Sequence, residues 1–91
     1  RRDLICRHFD DLKDFFSYQK PNSSYFIFPK LLPKRDSWKF ALDLLEKANV
    51  AVVPGVAFGP SGESHIRMSF GRSEKDINEA MRRIKKFFKY D

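Results

Sequence analysis

Arg67 is the side chain best placed by its surroundings to do chemistry with a guest. It lies in His65-Ile66-Arg67-Met68-Ser69-Phe70, where residues alternate cleanly, and it follows a glycine-rich stretch holding Gly55, Gly59 and Gly62. A period of two puts Ile66, Met68 and Phe70 on one face of a strand and His65, Arg67 and Ser69 on the other. A planar guanidinium on a stiff strand can grip a carboxylate or phosphate through two parallel hydrogen bonds. The bland alternative is a surface arginine in a weak ion pair. The glycine-rich loop has neither G-x-x-x-x-G-K-[ST] nor G-x-G-x-x-G spacing, and a strand follows it rather than a helix, so a structural or entrance loop is expected in preference to a phosphate cradle. Cys6 and His8 stand two apart on a helix and face different ways, and His65 has no evident second ligand, so no metal site is expected. No acid–base pair or nucleophile triad can be assembled.

The elements that must position Arg67 follow from periodicity. Leu4 to Tyr18 reads as a helix with Ile5, Phe9, Leu12 and Phe16 as its stripe. Pro21-Asn22-Ser23-Ser24 is turn chemistry. Tyr25 to Phe28 is aromatic and β-branched and reads as a strand, closed by Pro29. Lys30 to Arg35 reads as a basic loop. Asp36 or Ser37 caps a second helix, in which Trp38, Ala41, Leu42, Leu45 and Ala48 keep the helical period. Phe40 and Leu44 add a second row, so cover on more than one side is expected. Asn49 suits a left-handed end. Val50 to Val53 reads as a strand buried on both faces. Ser73-Glu74-Lys75-Asp76 resembles a capping box, and Ile77, Ala80, Met81, Ile84, Phe87 and Phe88 form the last helical stripe. The expected architecture is α+β, a small α/β sandwich in the order α-β-α-β-β-α. Its helices pack on one face of a small sheet, and Arg67 points from the other.

Ninety-one residues support one domain with one modest core. A chain this size buries about 60–65% of the surface its unfolded form exposes, so its stability margin is thin. Ten Phe argue against disorder. No apolar run approaches the roughly 18–20 residues that cross a bilayer. Cys6 is the single cysteine, and no signal-peptide pattern opens the sequence, so a reducing cytoplasm is the expected compartment. The net charge of +6 invites a nucleic-acid reading, and its densest run is Arg82 to Lys89. Unbalanced charge on solvated helix faces is the plainer account, with the run at a helix C-terminus where cations offset the macrodipole. Tyr25-Phe26-Ile27-Phe28 could stack bases, but the K/R-G-F/Y-G/A-F-V-x-F/Y signature is absent and core packing is the better reading. The sequence opens at Arg1-Arg2-Asp3-Leu4, already helical and without an initiator Met. It reads as a piece of a longer chain.

Resemblance adds the rest. The run from Val50 to Glu63 (VAVVPGVAFGPSGE), with Ile66-Arg67-Met68-Ser69-Phe70, resembles the C-terminal signature of class I/II aminotransferases of the aspartate and aromatic type. Pro21 to Pro29 is similar to that family's P-x-G-x-F/Y-Y-x-F-P segment, and Ser73 to Phe88 to its closing helix. The resemblance spans essentially all 91 residues. It implies that residues 1–91 form the C-terminal small domain of a fold-type-I, pyridoxal-5'-phosphate-dependent enzyme, packed against a larger cofactor domain. Arg67 matches the arginine that holds the substrate α-carboxylate, and Tyr25 or Phe26 would line the site's mouth. Two departures stand out. Ser23 replaces the family's glycine before the aromatic strand. Nothing here matches the Schiff-base lysine, the cofactor-phosphate ligands or the Asp that partners the pyridine nitrogen, so no catalytic or cofactor-binding residue is assigned.

The reaction implied for the whole enzyme is amino-group transfer between an α-amino acid and a 2-oxo acid, in a homodimer, with no membrane or nucleic-acid partner. Two rival readings stand beside it: a small basic nucleic-acid-binding α/β module, and a lyase or decarboxylase of the same cofactor family, whose chemistry large-domain groups would set.

Overall fold

The computed structural model describes residues 1–22 and 25–90 of the chain. Its elements run α1 (Arg2–Asp10), β1 (Phe16–Ser17), β2 (Phe26–Ile27), β3 (Lys30–Leu31), α2 (Ser37–Ala48), β4 (Val53–Pro54), β5 (Ile66–Ser69) and α3 (Glu74–Tyr90). Two 3-10 turns, Gly55–Phe58 and Pro60–Gly62, lie between β4 and β5. The class is α+β, as the sequence predicts, with two more short strands than the periodicity reveals. Ser23 and Ser24, part of the expected turn, lie outside the described residues.

The first stripe is buried in full, yet its helix is shorter than the stripe. Ile5, Phe9, Leu12 and Phe16 are all in the core, but α1 stops at Asp10 instead of reaching Tyr18. Asp10, Asp11 and Asp14 oppose the negative end of the helix dipole. Tight turns follow, with Leu12 N donating to Phe9 O and Phe15 N to Leu12 O. Phe16 and Ser17 are then claimed by another partner: β1 pairs antiparallel with β3, Phe16 opposite Leu31. The expected loop at Lys30–Arg35 therefore begins with a strand. Tyr18 turns the chain back onto α1 by donating to Cys6 O (3.2 Å) and reaching Asp10 Oδ1 (2.6 Å). Burial and that carboxylate push the phenol's pKa up from its ordinary 10.0.

A second, three-stranded sheet has the order β2-β5-β4, all antiparallel. Phe26 lies opposite Ser69, and Val53 opposite Arg67. β4 is thus an edge strand with Ala51 exposed and Val52 and Val53 half-buried. The apolar run Val50 to Val53 is not buried on both faces, because only β5 pairs with it.

Asp36 caps α2, its side chain accepting from Lys39 N at 3.1 Å, and Asn49 ends it at φ 56°. The face that packs combines the expected second row, Phe40 and Leu44, with Ala41 and Ala48 of the first. Phe40, Ala41 and Leu44 are buried, whereas Trp38, Leu42 and Leu45 are exposed. The described residues therefore cover α2 on one side, not on several. The reason is α3, which packs on the Phe40 side: Phe87 and Phe88 lie 5.9 and 6.0 Å from the Phe40 ring. α3 starts on the cap half of the expected box, with Asp76 N donating to Ser73 Oγ at 3.1 Å, and buries Ile77, Met81, Ile84 and Phe87. α1 and α3 are tied at their edge. His8 Nε2 donates to Asn78 Oδ1 (2.7 Å), and Lys85 Nζ donates to His8 Nδ1 (3.0 Å) and Asp11 Oδ2 (3.1 Å). The core between helices and sheets is aromatic, with Phe16 edge-on to Phe9, Phe40 and Phe88.

Two predictions follow from this packing. Leu44→Ala should cost about 2–5 kcal/mol in urea unfolding of the chain, whereas Leu42→Ala, two positions away on the same helix, should stay within about 0.5 kcal/mol. Equal costs would mean α2 is turned differently. Glu79 accepts from Arg82 at 2.7 and 2.9 Å and from Arg83 at 2.8 Å, which lowers its pKa from 4.5 to about 2. A depressed carboxylate pKa contributes stability above its unfolded value that disappears as pH falls through the folded one. NMR titration of the Glu79 carboxyl should show a midpoint near 2, and Arg83→Gln should raise it.

Candidate functional site

The alternation of β5 sets the site. Ile66, Met68 and Phe70 are buried against the helices, while Arg67 and Ser69 are only half-buried on the opposite face. Arg67 Cζ lies 4.3 Å from the centroid of the Phe26 ring and 4.5 Å from that of Phe58. One ring comes from the neighbouring strand, the other from the glycine-rich loop. Such cation–π contacts are worth about 0.5–1 kcal/mol each when exposed and about 2 when desolvated. Arg67 Nε is buried and has no hydrogen-bond partner, and among the described residues no carboxylate pairs with this guanidinium. A cation packed beside two rings, with no internal carboxylate on it, can grip an incoming carboxylate.

Around it runs an apolar rim. Phe26, Phe28 and Phe58 are 43%, 40% and 48% exposed. Phe28 stacks on His65 at 4.8 Å and meets Phe58 at 6.1 Å. His65 Nδ1 donates to Glu63 O at 3.1 Å, which fixes that ring. An open cleft of about 540 Å³, lined by Tyr18, Lys20, Phe26, Phe28, Lys30 and His65 among others, shares two residues of this rim.

The loop that brings Phe58 is closely built. A Cβ on Gly55 would overlap the Gly62 carbonyl and come within 2.7 Å of His65 O, so no side chain fits there. Gly59 sits at φ 114°, a conformation glycine alone adopts readily. The loop's amides are consumed internally: Gly55 N donates to His65 O, Gly59 N to Val56 O, Gly62 N to Gly59 O, Glu63 N to Pro60 O and His65 N to Gly62 O. These amides leave no nest for a phosphate, so they do not fit the phosphate of a pyridoxal cofactor.

Of the residues singled out in sequence, Arg67 and Phe26 come together. Tyr25, 64% exposed, does not join them: its ring packs on Phe70 at 6.3 Å and over Gly71. Phe58, Phe28 and Glu63 were not singled out. A bulky ring beside Gly59 in a loop was the available signal for Phe58. Much of the basic run Arg82 to Lys89 is matched by acid: Arg82 and Arg83 share Glu79, and Lys85 meets Asp11. No helix among the described residues is long and apolar enough to cross a membrane.

A family model described as aminotransferase class I and II matches residues 1–84. A probable aspartate aminotransferase of Methanocaldococcus jannaschii is 41% identical over 88 residues, which are 97% of this chain and 22% of that protein. An LL-diaminopimelate aminotransferase of Phocaeicola vulgatus is 51% identical over 51 residues, 56% of this chain and 12% of that one. Among solved structures, the aromatic aminotransferase of Pyrococcus horikoshii superposes with a TM-score of 0.90 at 33% identity, over 98% of this chain and 24% of its own. An alanine aminotransferase of Pyrococcus furiosus gives 0.91 at 35%, over 99% and 23%. The chain thus spans less than a quarter of the length of each of these relatives, and with the family model matched along residues 1–84 it belongs to the class I and II aminotransferases.

Proposed function

We propose that residues 1–91 are the C-terminal small domain of a pyridoxal-5'-phosphate-dependent aminotransferase, and that Arg67 holds the α-carboxylate of its substrates. The observation that carries this is the guanidinium itself, packed beside Phe26 and Phe58 at 4.3 and 4.5 Å and paired with no carboxylate among the described residues. An α-amino acid and the 2-oxo acid it becomes share one feature, the carboxylate on the reacting carbon. A single clamp therefore serves both directions of an amino-group transfer. Anchoring that carboxylate in a bidentate grip limits rotation about the bond to Cα, so the remaining substituents are presented in one orientation. The two rings packed beside the guanidinium restrict its tilting.

The cofactor, when bound, supplies the carbonyl that takes up the amino group and the ring that draws electrons from Cα. Its lysine and phosphate ligands are assigned to the rest of the polypeptide, a large domain against which this one packs. In this reading the parent is a cytoplasmic homodimer, and the substrate is an amino acid or 2-oxo acid whose side chain is read elsewhere. Tyr25, packed on Phe70, has no direct part in carboxylate binding. Phe26 takes that supporting part.

In the full-length enzyme, Arg67→Lys should raise KM for the amino acid about 10- to 100-fold, because a charge-assisted bidentate pair is worth about 1.5–3 kcal/mol. The absorbance of bound cofactor should be nearly unchanged. Equal loss of cofactor and substrate binding would refute the assignment. The 91-residue chain alone, mixed with pyridoxal phosphate and borohydride, should give no stoichiometric adduct at one specific lysine. Such an adduct would place the cofactor's anchor here and overturn the domain assignment.

A further inference from the structure

We infer that Glu63 is a positioning residue for the carboxylate site: it staples the glycine-rich loop to the N-terminus of α2 and so holds Phe58 over Arg67. The inference rests on the reading of Arg67 given above.

Glu63 Oε1 accepts from two backbone amides at once, Ser37 N at 2.7 Å and Ser64 N at 2.8 Å. Ser37 N is the first amide of α2, one of the donors that a helix leaves without an internal partner. Asp36 has already taken the third, Lys39 N. The carboxylate of Glu63 is therefore held by one unspent donor, at the positive end of a twelve-residue helix. These amides lower its pKa below the ordinary 4.5, Ser37 first and Ser64 second, so the staple is ionised through the neutral range.

The same serine fixes the other end of the loop. Ser37 is fully buried, and its Oγ accepts from Val56 N at 3.2 Å. Loop entry and loop exit thus meet at one residue, the entry through the Ser37 hydroxyl and the exit through Glu63. Ser64 completes the exit. It adopts φ 66°, uncommon for a residue with a side chain. Its Oγ donates to Arg35 O at 3.0 Å, and its N–H is the second one that Glu63 takes. Without the carboxylate, two amides lose their acceptor and Ser64 loses one of the bonds that keep it in that conformation.

Phe58 rides between these anchors. It is 48% exposed, and its ring contacts are with Phe28 and the Arg67 guanidinium. Loosening the loop frees that ring, and Arg67 keeps only its Phe26 face. Glu63 forms no ion pair with Arg67 among the described residues, so it acts through Phe58.

The test uses the full-length enzyme with Glu63→Ala, Glu63→Gln, Phe58→Ala and the Glu63→Ala/Phe58→Ala double variant. Glu63→Ala and Phe58→Ala should each raise KM for the amino acid about tenfold, with kcat and the absorbance of bound cofactor much less affected. The double variant should be no worse than either single one, since both remove the same ring from Arg67. Glu63→Gln should recover most of the loss, because its amide oxygen accepts the same two N–H groups. A readout independent of activity is the Arg67 Nε–H resonance in the arginine-labelled full-length enzyme, which two adjacent rings should move and which Glu63→Ala should return toward its ordinary position. Additive effects, or a KM unmoved by Glu63→Ala while Arg67→Lys raises it, would overturn the positioning role alone. If Arg67→Lys leaves KM unmoved, the carboxylate reading fails, and the Arg67 resonance still decides whether Glu63 holds the loop. An Arg67 resonance unmoved in Glu63→Ala overturns the inference.

Discussion

Side chains on an extended strand must leave by opposite faces in turn, and the whole site is a consequence of that rule acting on β5. Ile66, Met68 and Phe70 are needed in the core, where they close the space beneath the helices. Once those three face inward, Arg67 has no choice but to face out. β5 is also the middle strand of its sheet, paired on both edges. Its backbone can neither slide nor twist freely, because either movement would drag three core side chains with it. The guanidinium inherits that rigidity. A cation meant to orient a small molecule gains from such a mount, since freedom left in the side chain would become freedom in the guest.

The flanking rings answer a separate difficulty. An arginine partly withdrawn from water would ordinarily be satisfied by an acidic neighbour, and this chain has twelve Asp and Glu to choose from. Among the described residues, acids that pair with a base do so away from Arg67, as Glu79 does with Arg82 and Arg83, Asp11 with Lys85, and Asp3 with Lys20. Aromatic faces compensate the cation without using its hydrogen-bonding edge, which an internal carboxylate would occupy. Lysine could not be held this way. Its ammonium is compact and strongly hydrated, and it has no plane to pack beside two rings.

Much of this was legible in the sequence because it is local and periodic. The β5 alternation, the Ser73 cap, the α2 start at Asp36 and its end at Asn49 all depend on residues close together in the chain, and all are present. What periodicity missed is what other parts of the molecule decide. The Ile5-to-Phe16 stripe is real, but its last member is buried from β1 because Leu31, fifteen residues away, pairs with it. Trp38, Leu42 and Leu45 keep as good a helical period as Phe40 and Leu44, and the position of α3 chooses between them. At the site, Arg67 and Phe26 could be named from pattern and resemblance. Phe58 and Glu63 are not marked by any periodicity: Phe58 sits in an irregular loop whose path decides that it meets Arg67, and Glu63 matters through Ser37, far along the chain.

The buried, unbonded Nε of Arg67 and the exposed rings beside it are the point where the chain's own consistency breaks. Elsewhere α2 and α3 start on side-chain caps, aromatic side chains interlock in the core, and Arg82, Arg83 and Lys85 meet acidic partners. A protein shaped for stability alone would have no reason to place a cation beside two half-exposed rings and withhold a carboxylate from it. It would gain by replacing Arg67 with a β-branched residue opposite Val53 and by shortening the loop that carries Phe58. The loop is instead fastened at both ends to Ser37 and given two glycines with no room for a side chain to make its turn possible. That much structure spent on a single exposed ring has a clear rationale only if the cation beneath the ring must stay in one place for something arriving from outside.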